Sequence, residues 1–258
     1  MLKRGLEPDF PPAAIEQTVR LSGPAQDNAI RDKRNLLWCS IDNDDSRDLD
    51  QLTLSERLKG NSVRIHVAVA DGDALVRKGS PVDEHACLNT TSVYTPTRIF
   101  PMLPERLSTD LTSLNPDQDR VALVISYTVD SGGAVADGEV ERALVRNHAK
   151  LAYNSVDAWL EGVGAMPHGM AGVEGLAEQI RIQDSVARQL KQHRHEEGAL
   201  DLETIGARAV VDNGRVVELR REEKNRARSL IEDFMIAANG VTARYLEAKH
   251  LPSVRRVV

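Results

Sequence analysis

A dense group of aspartates is the first feature of this sequence that could carry chemistry. Five carboxylates, those of Asp42, Asp44, Asp45, Asp48 and Asp50, fall within nine consecutive residues. Two unit charges about 4 Å apart repel by about 4 kcal/mol at an effective dielectric of about 20. Carboxylates held together on a folded scaffold therefore require a divalent cation or raised pKa values. Their hard oxygen atoms favour Mg²⁺, Mn²⁺ or Ca²⁺ over zinc.

A solvated acidic loop without function is the ordinary interpretation of an Asp-rich stretch. The setting of this one argues against it, because the acids directly follow the apolar run at residues 36–41. Asp48 and Asp50 also flank Leu49, so their side chains point the same way in an extended chain. The sequence therefore favours a functional cluster at the end of a buried strand.

A calcium loop of the EF-hand type is a second alternative. Counted from Asp42, the sixth position is Arg47, where the loop requires glycine. The twelfth position is Thr53, where the bidentate glutamate belongs. The spacing excludes this type of site.

The elements that must position the cluster follow from hydrophobic periodicity and turn residues. Strands of mixed character followed by long helices indicate an α/β or mixed α+β fold. Residues 1–34 are predicted to lead into this domain, which begins at residue 35. The predicted strands are 36–41, 51–54, 63–70, 121–129, 140–145 and a hairpin of 208–211 with 215–219 around 212–214, the predicted helices are 13–21, 81–88, 155–161, 173–196 and 227–249, and 95–104 is an ordered loop.

Composition excludes several protein classes. With 258 residues, 41% hydrophobic and 28% charged, the chain is neither disordered, collagen-like nor a disulfide scaffold. Cys39 and Cys87 lack metal-ligand or CxxC spacing, which indicates a reduced, cytoplasmic setting. No apolar run reaches the roughly 18 residues of a membrane span. The net charge of −6 argues against a broad basic nucleic-acid surface but not against a basic channel.

The acidic cluster resembles a known motif. Ile41-Asp42, five residues, and then Asp48-Leu49-Asp50 is similar to the active-site motif of the RNB domain in ribonuclease II-type exoribonucleases. The resemblance covers roughly residues 35–256, with matching segments in the expected order. These further segments are 67–71, 92–94, 100–104, 107–108, 148–153 and 230–239.

The resemblance implies an RNB catalytic domain with a mixed β-sheet and long packed helices. It also implies a hydrolytic, processive 3′→5′ exoribonuclease that degrades single-stranded RNA to nucleoside 5′-monophosphates. Asp42, Asp48 and Asp50 would form the Mg²⁺ site, with Mn²⁺ as the alternative cation. Asp50 matches the carboxylate on which the family's chemistry most depends.

This sequence departs from the family pattern at one position of the motif. The family has a fourth aspartate directly after the third, and here that residue is Gln51. A neutral amide is a poorer cation ligand and cannot act as a base. Asp44 is the candidate substitute ligand, since its even spacing from Asp42 aims it similarly in an extended chain.

Three further residues match family positions that contact substrate. Tyr94 and Tyr153 match tyrosines near the scissile end, one stacking or clamping nucleotides and one close to the reacting phosphate. Glu232 matches a glutamate near the 3′ nucleotide. Taken singly, each tyrosine is equally well a core residue with a bonded hydroxyl, and Glu232 a surface acid on a helix.

An RNB domain of this type runs further than Val258, so we expect the remainder of the domain as a partner, on the same chain or a second one. A fragment, a split protein and a degenerate paralogue remain open. Two functions follow: a metal-dependent 3′→5′ exoribonuclease, or a non-catalytic RNA- or partner-binding module of RNB ancestry.

Overall fold

The computed structural model describes residues 1–200, 206–212, 215–222 and 225–255. Short 3₁₀ segments at Leu2–Arg4, Lys59–Asn61 and Gly72–Ala74 and a π-helical turn at Arg106–Leu111 supplement the regular elements. The helices are α1 (Pro12–Val19), α2 (Pro81–Asn89), α3 (Tyr153–Leu160), α4 (His168–Ala171), α5 (Leu176–Glu196) and α6 (Arg226–Ala248). The strands are β1 (Arg31–Asp32), β2 (Cys39–Asp42), β3 (Gln51–Arg57), β4 (Val63–Ala70), β5 (Val93–Tyr94), β6 (Ile99–Phe100), β7 (Asp119–Val129), β8 (Val135–Arg146), β9 (Ala149–Ala152), β10 (Gly206–Asp212) and β11 (Arg215–Glu222).

The chain divides into two compact units. Within the described residues, the first unit comprises residues 1–26, 71–113, 206–212 and 215–222, and the second comprises residues 27–70, 114–200 and 225–255. Each unit is therefore assembled from segments that are distant in sequence.

The second unit is built on a mixed sheet that has seven strands within the described residues, in the order β1-β8-β7-β4-β3-β2-β9. The β1–β8 and β2–β9 pairs are parallel, and the remaining pairs are antiparallel. A mixed sheet with long helices confirms the predicted fold class.

Alternating side chains of the sheet supply two apolar cores. Ile65 and Val67 of β4 join the larger core, which also contains side chains of α3, α5 and α6. Ala68 of the same strand joins the opposite core, with Trp38 and Leu52. The two-residue period of β4 thus places its side chains in the cores on both faces of the sheet.

The first unit has a smaller core of its own. Ala14 of α1, Val82 of α2, Leu107 and Leu111 are buried together. Ser80 caps α2 by accepting a hydrogen bond from the Asp83 amide, and Pro81 follows at the first helical position. The short β5–β6 pair and the β10–β11 hairpin also belong to this unit.

Most predicted elements are confirmed, with shifted ends. The strand predicted at 36–41 begins only at Cys39, because residues 36–38 carry turn hydrogen bonds that include the Trp38 amide to the Leu36 carbonyl. The loop predicted at 95–104 contains the short strand β6, and the helix predicted at 173–196 starts at Leu176. The strands of the 208–219 hairpin are present, while part of its turn, 213–214, lies outside the described residues. Among the described helices, none is both long and apolar enough to cross a membrane.

Candidate active site

Asp42 stands at the carboxyl end of β2. The parallel pairing with β9 places Asp42 beside Ala152, and Tyr153 follows directly as the first residue of α3. Since parallel strands end at the same edge of a sheet, Asp42 and Tyr153 leave the sheet together. The sheet edge therefore fixes an acid and a phenol side by side.

The segment after Asp42 folds back on its carboxylate. Asp42 Oδ1 accepts hydrogen bonds from the Asn43 amide at 2.6 Å and from Ser46 Oγ at 2.9 Å. The Ser46 amide donates to the Asn43 carbonyl at 3.2 Å, which closes a four-residue turn. Local hydrogen bonds of this kind hold the Asp42 carboxylate in one orientation.

Asp48 and Asp50 flank the buried Leu49, and both keep exposed side chains, as the alternation predicts. The Leu49 carbonyl accepts from the Leu114 amide at 2.9 Å, and the Asp50 carbonyl accepts from the Ala70 amide at 2.9 Å. These two hydrogen bonds hold the backbone of Leu49 and Asp50, which directly precede β3. The carboxylates are thus displayed by a fixed segment of backbone.

The carboxylates are close enough to influence one another. The antiparallel β2–β3 register places Cys39 opposite Thr53, and Asp42 and Asp50 each lie three residues along the chain from that pair. Partial loss of water around Asp50 raises the pKa of its carboxyl group, and the negative charges of Asp42 and Asp48 raise it further. Like charges held near one another disfavour the ionised form, and a nearby cation would offset that repulsion.

Tyr153 lies in the same electrostatic environment. Burial raises the pKa of its hydroxyl to about 12, the charges of Asp42 and Asp50 raise it as well, and Arg228 lowers it. The Arg228 guanidinium lies over the Tyr153 ring, 5.1 Å from its centre, and Nη2 donates to Asn43 Oδ1 at 2.9 Å. Arg228, in the first turn of α6, therefore places a positive charge beside the acidic segment.

Lys150 of β9 anchors the same segment from another side. Its Nζ donates to the Ser46 carbonyl at 2.5 Å and lies 3.4 Å from the Asp44 carbonyl. Asp44 is exposed, and its Oδ1 accepts from the Asp45 amide at 3.1 Å. Lys150 therefore holds the carbonyl groups of the acidic loop.

Glu232 and its neighbour Asp233 play different parts on α6. Glu232 is exposed and lies one helical turn beyond Arg228, on the same face. Asp233 is buried and paired with Arg194 at 2.5 Å, and burial raises the pKa of its carboxyl group. Of the two acids, only Glu232 is available to a ligand in solvent.

Gln51, the departure from the family motif, is buried at the start of β3. Its Nε2 donates to the Ile41 carbonyl at 3.2 Å. Its Oε1 has no hydrogen-bond partner among the described residues. The side chain is therefore tied to β2 and does not extend into solvent beside Asp50.

Tyr94 belongs to the first unit and ends the short strand β5. Its side chain is 65% exposed, which is high for an aromatic residue. The Val93–Phe100 and Tyr94–Ile99 pairs of β5 and β6 fix its backbone. An exposed ring on a fixed backbone offers a face on which a nucleotide base can stack.

The donor set of the second unit suits a hard cation, since it consists of carboxylate oxygens. Among the described residues, however, no three His, Cys, Asp or Glu side chains converge closely enough to form a complete metal cage. Mg²⁺ is commonly bound through one or two carboxylates, with water and substrate phosphate filling the remaining positions. The residues present fit that open type of site in chemistry, and a closed protein cage is not formed.

Comparison with known proteins gives the family. Residues 30–258 match the RNB domain. Ribonuclease R of Escherichia coli (strain K12) is 34% identical over 251 residues, covering 95% of this chain and 30% of the relative.

Two solved structures share the fold. The RNase R of Mycoplasma genitalium in complex with ribose methylated single-stranded RNA gives a TM-score of 0.90 at 24% identity, over 97% of this chain and 39% of that one. Yeast Ssd1, described as a pseudonuclease, gives a TM-score of 0.65 at 17% identity, over 88% of this chain and 28% of that one.

The chain therefore spans about 30% of the length of the E. coli relative and 39% of the M. genitalium chain. The match over residues 30–258 covers nearly all of this sequence, including the acidic segment and both tyrosines. The chain belongs to the RNB domain family of ribonucleases R and II.

Proposed function

We propose that this chain is the catalytic part of a Mg²⁺-dependent hydrolytic exoribonuclease that degrades single-stranded RNA from its 3′ end to nucleoside 5′-monophosphates. Family membership supports a ribonuclease, and a structural neighbour was determined with single-stranded RNA bound. The observation that carries the proposal is the placement of Asp42 at the carboxyl end of β2, with Asp48 and Asp50 exposed on the segment that enters the neighbouring strand β3. An anionic cluster contacts a phosphodiester only when a cation lies between them.

In this proposal Asp42, Asp48 and Asp50 hold Mg²⁺, with Mn²⁺ as the alternative, and Asp44 is a candidate additional ligand. When bound, the cation neutralises the phosphate charge and activates water. The protein's own contribution is to fix the carboxylates, which it does through Ser46, the buried Leu49 and the backbone bond to β4.

Tyr153 and Arg228 act on the phosphate itself. With a pKa of about 12, the Tyr153 hydroxyl stays protonated near neutral pH and donates a hydrogen bond to a phosphate oxygen. The Arg228 charge beside the ring attracts the same anionic group. Together they favour binding of the scissile phosphate next to the acids.

Tyr94 and Glu232 contact the nucleotides of the RNA. Stacking on an aromatic ring contributes about 1–3 kcal/mol per base without sequence preference, which suits a processive enzyme. Glu232 accepts hydrogen bonds from the sugar hydroxyls of the 3′ nucleotide. Both side chains are exposed, as a direct substrate contact requires.

We further propose that the protein acts in the cytoplasm and together with the remainder of its RNB domain. Cys39 and Cys87 are unpaired thiols, in keeping with a reducing compartment. The relatives matched are about three times the length of this chain, so further segments are expected to complete the RNA-binding surface.

A non-catalytic RNA- or partner-binding module is the second candidate. Two observations favour it: the absence of a closed three-residue metal cage among the described residues, and a fold shared with a pseudonuclease. Gln51, in place of the family's fourth aspartate, points the same way.

One assay separates the two functions. The full-length protein is incubated with end-labelled single-stranded RNA with and without Mg²⁺, and mononucleotide release is measured. Asp50→Asn is expected to reduce the rate at least about 100-fold, since bound metal supplies several kcal/mol of transition-state stabilisation. RNA binding without release, in wild type and variant alike, would establish the module instead.

Asp45→Asn is the matched control. It makes the same chemical change in the same loop, at an exposed residue outside the proposed ligand set. It is expected to retain activity close to wild type, so a large loss would show that overall loop charge matters more than the named carboxylates.

A further inference from the structure

Beside the candidate site, the strands β2 and β3 are paired at one residue position only. The two strands share one recorded pair, Cys39 with Thr53. If the same register continued for two residues, Ile41 would lie opposite Gln51, but these two residues do not form a backbone pair. On its other side β2 is fully paired, from Cys39 through Asp42, with β9.

The Gln51 side chain occupies the gap in the ladder. Its Nε2 donates to the Ile41 carbonyl at 3.2 Å, so the side chain connects β3 to β2 beyond the Cys39–Thr53 pair. Ile41 immediately precedes Asp42, and Gln51 immediately follows Asp50. This hydrogen bond therefore connects the residue before Asp42 to the residue after Asp50.

We propose that Gln51 is a positioning residue that sets the separation of Asp42 and Asp50 through the hydrogen bond to the Ile41 carbonyl. This inference deepens the proposed nuclease function and rests on it. Gln51 touches neither substrate nor cation in this role. The amide is required because the atom facing the carbonyl must be a donor.

A carboxylate cannot replace this amide. An ionised acid has no hydrogen to donate, and beside the Ile41 carbonyl it places one acceptor against another. The site is also buried, so the unpaired negative charge carries a large desolvation cost. An ionised aspartate at this position is therefore expected to lose the hydrogen bond to the Ile41 carbonyl.

A positioning role and a cation-ligand role for residue 51 predict opposite changes in the activity of Gln51→Asp. If residue 51 binds the cation, Gln51→Asp strengthens metal binding and raises activity. If Gln51 positions the strands, Gln51→Met lowers activity because it removes the donor, and Gln51→Asp lowers activity because its side chain is one methylene shorter. Gln51→Met nearly preserves side-chain length, which limits effects on packing.

The test measures kcat and KM for single-stranded RNA in the full-length protein. Each variant is expected to lower kcat about 10- to 100-fold, the effect of a misplacement of about 1 Å, with KM for RNA largely unchanged. Two further measurements need no reaction: Mn²⁺ binding without RNA, followed by electron paramagnetic resonance, and amide hydrogen exchange of the peptide covering residues 39–52. Weaker Mn²⁺ binding and faster exchange in that peptide are expected.

Gln183→Met is the matched control. Gln183 is also buried, donates through Nε2 to Gln179 Oε1 at 3.1 Å, and has an Oε1 with no partner among the described residues. Its substitution removes an equivalent donor on α5 and is expected to leave kcat and the 39–52 peptide unchanged. An equal loss of kcat in this control would reduce the Gln51 effect to general destabilisation.

The results distinguish failure of this inference from failure of the proposed function. A wild-type protein that releases no mononucleotide contradicts the nuclease itself. An active wild type with a more active Gln51→Asp, or with an unaffected Gln51→Met, contradicts the positioning role. A fall in kcat for Gln51→Asp and Gln51→Met, with an unchanged control, supports it.

Discussion

Asp50 combines solvent access with a raised pKa, and the cause lies in its neighbours as well as in its partial burial. The charges of Asp42, at the end of β2, and of Asp48, two residues earlier in the chain, both raise its pKa. The alternation of acidic and apolar residues at Asp48, Leu49 and Asp50 can be read from the sequence. The approach of Asp42 depends on the strand register, which no local pattern specifies.

Arg228 and Lys150 are the site residues that the sequence did not single out for these roles. Arg228 is 185 residues from the Asn43 side chain it binds, and Lys150 is 104 residues from the Ser46 carbonyl. A lone basic residue on a helix or strand is ordinarily a solvated charge. Only the fold shows that both hold the acidic segment and bring positive charge to it.

His66 is a buried titratable residue of the sheet. Its Nε2 lies 3.0 Å from Glu56 Oε2 and its Nδ1 lies 2.7 Å from Ser126 Oγ. Because a carboxylate only accepts, neutral His66 carries its proton on Nε2, and its Nδ1 accepts a hydrogen bond from the Ser126 hydroxyl. Burial lowers the pKa of His66, Glu56 opposes that effect, and Lys33 and Arg64 add to the lowering.

Stability is therefore expected to fall on acidification. Below the ordinary histidine pKa of 6.5, the unfolded chain takes up a proton that folded His66 resists. The stabilising contribution is fully present above that pH and is lost progressively as pH falls toward the lower folded value. Urea unfolding at about pH 7.5 and about pH 5.5 measures the free energy of unfolding across this window.

His66→Gln tests the assignment. The variant is expected to be less stable than wild type at the higher pH, with a smaller difference at the lower pH. His250→Gln, at an exposed position, is expected to follow the wild type. A difference between wild type and His66→Gln that is independent of pH would contradict the burial of a neutral imidazole.

At the scale of elements, the β7–β8 hairpin is fitted closely to helix α5. Gly133 in the turn has φ of 85°, a left-handed conformation that favours glycine. A methyl group there would stand 2.8 Å from the Gln189 carbonyl carbon and 2.9 Å from the His193 Cβ. The turn can approach the helix backbone only because this side chain is absent.

Gly133→Ala is expected to lower the free energy of unfolding by at least about 1 kcal/mol, because backbone strain and crowding against α5 act together. Gly132→Ala is the control, since its added methyl group meets only Asp130 Oδ1, at 3.4 Å. Urea unfolding of both variants measures the difference. Equal stability of the two would show that the hairpin can shift away from α5 at little cost.

At the scale of the whole molecule, two units with separate cores share one chain that passes between them several times. Val82 is fully buried in the core of the first unit, and Val67 is fully buried in the larger core of the second. A smaller core offers fewer apolar contacts to resist local opening.

The same substitution at the two positions is expected to give different patterns of amide hydrogen exchange. Val82→Ala and Val67→Ala each remove two buried methyl groups, a loss of about 2 kcal/mol in apolar burial before any cavity cost. Val82→Ala is expected to accelerate exchange in α1 and α2 only, and Val67→Ala throughout the sheet. Uniform acceleration in both variants would show that the units open together.

The sequence by itself determined the acidic motif, the alternation around Leu49, the strand β4, the β7–β8 hairpin and the long helix α6. Each depends on residues that are close in the chain, through periodicity, turn formation or a family pattern. The ends of β2, the separation of the two units and the partners of Gln51, Lys150 and Arg228 were decided only by the tertiary structure. The physical reason is that hydrogen bonds and charges act through space, and the parallel β2–β9 pairing brings together residues more than one hundred positions apart.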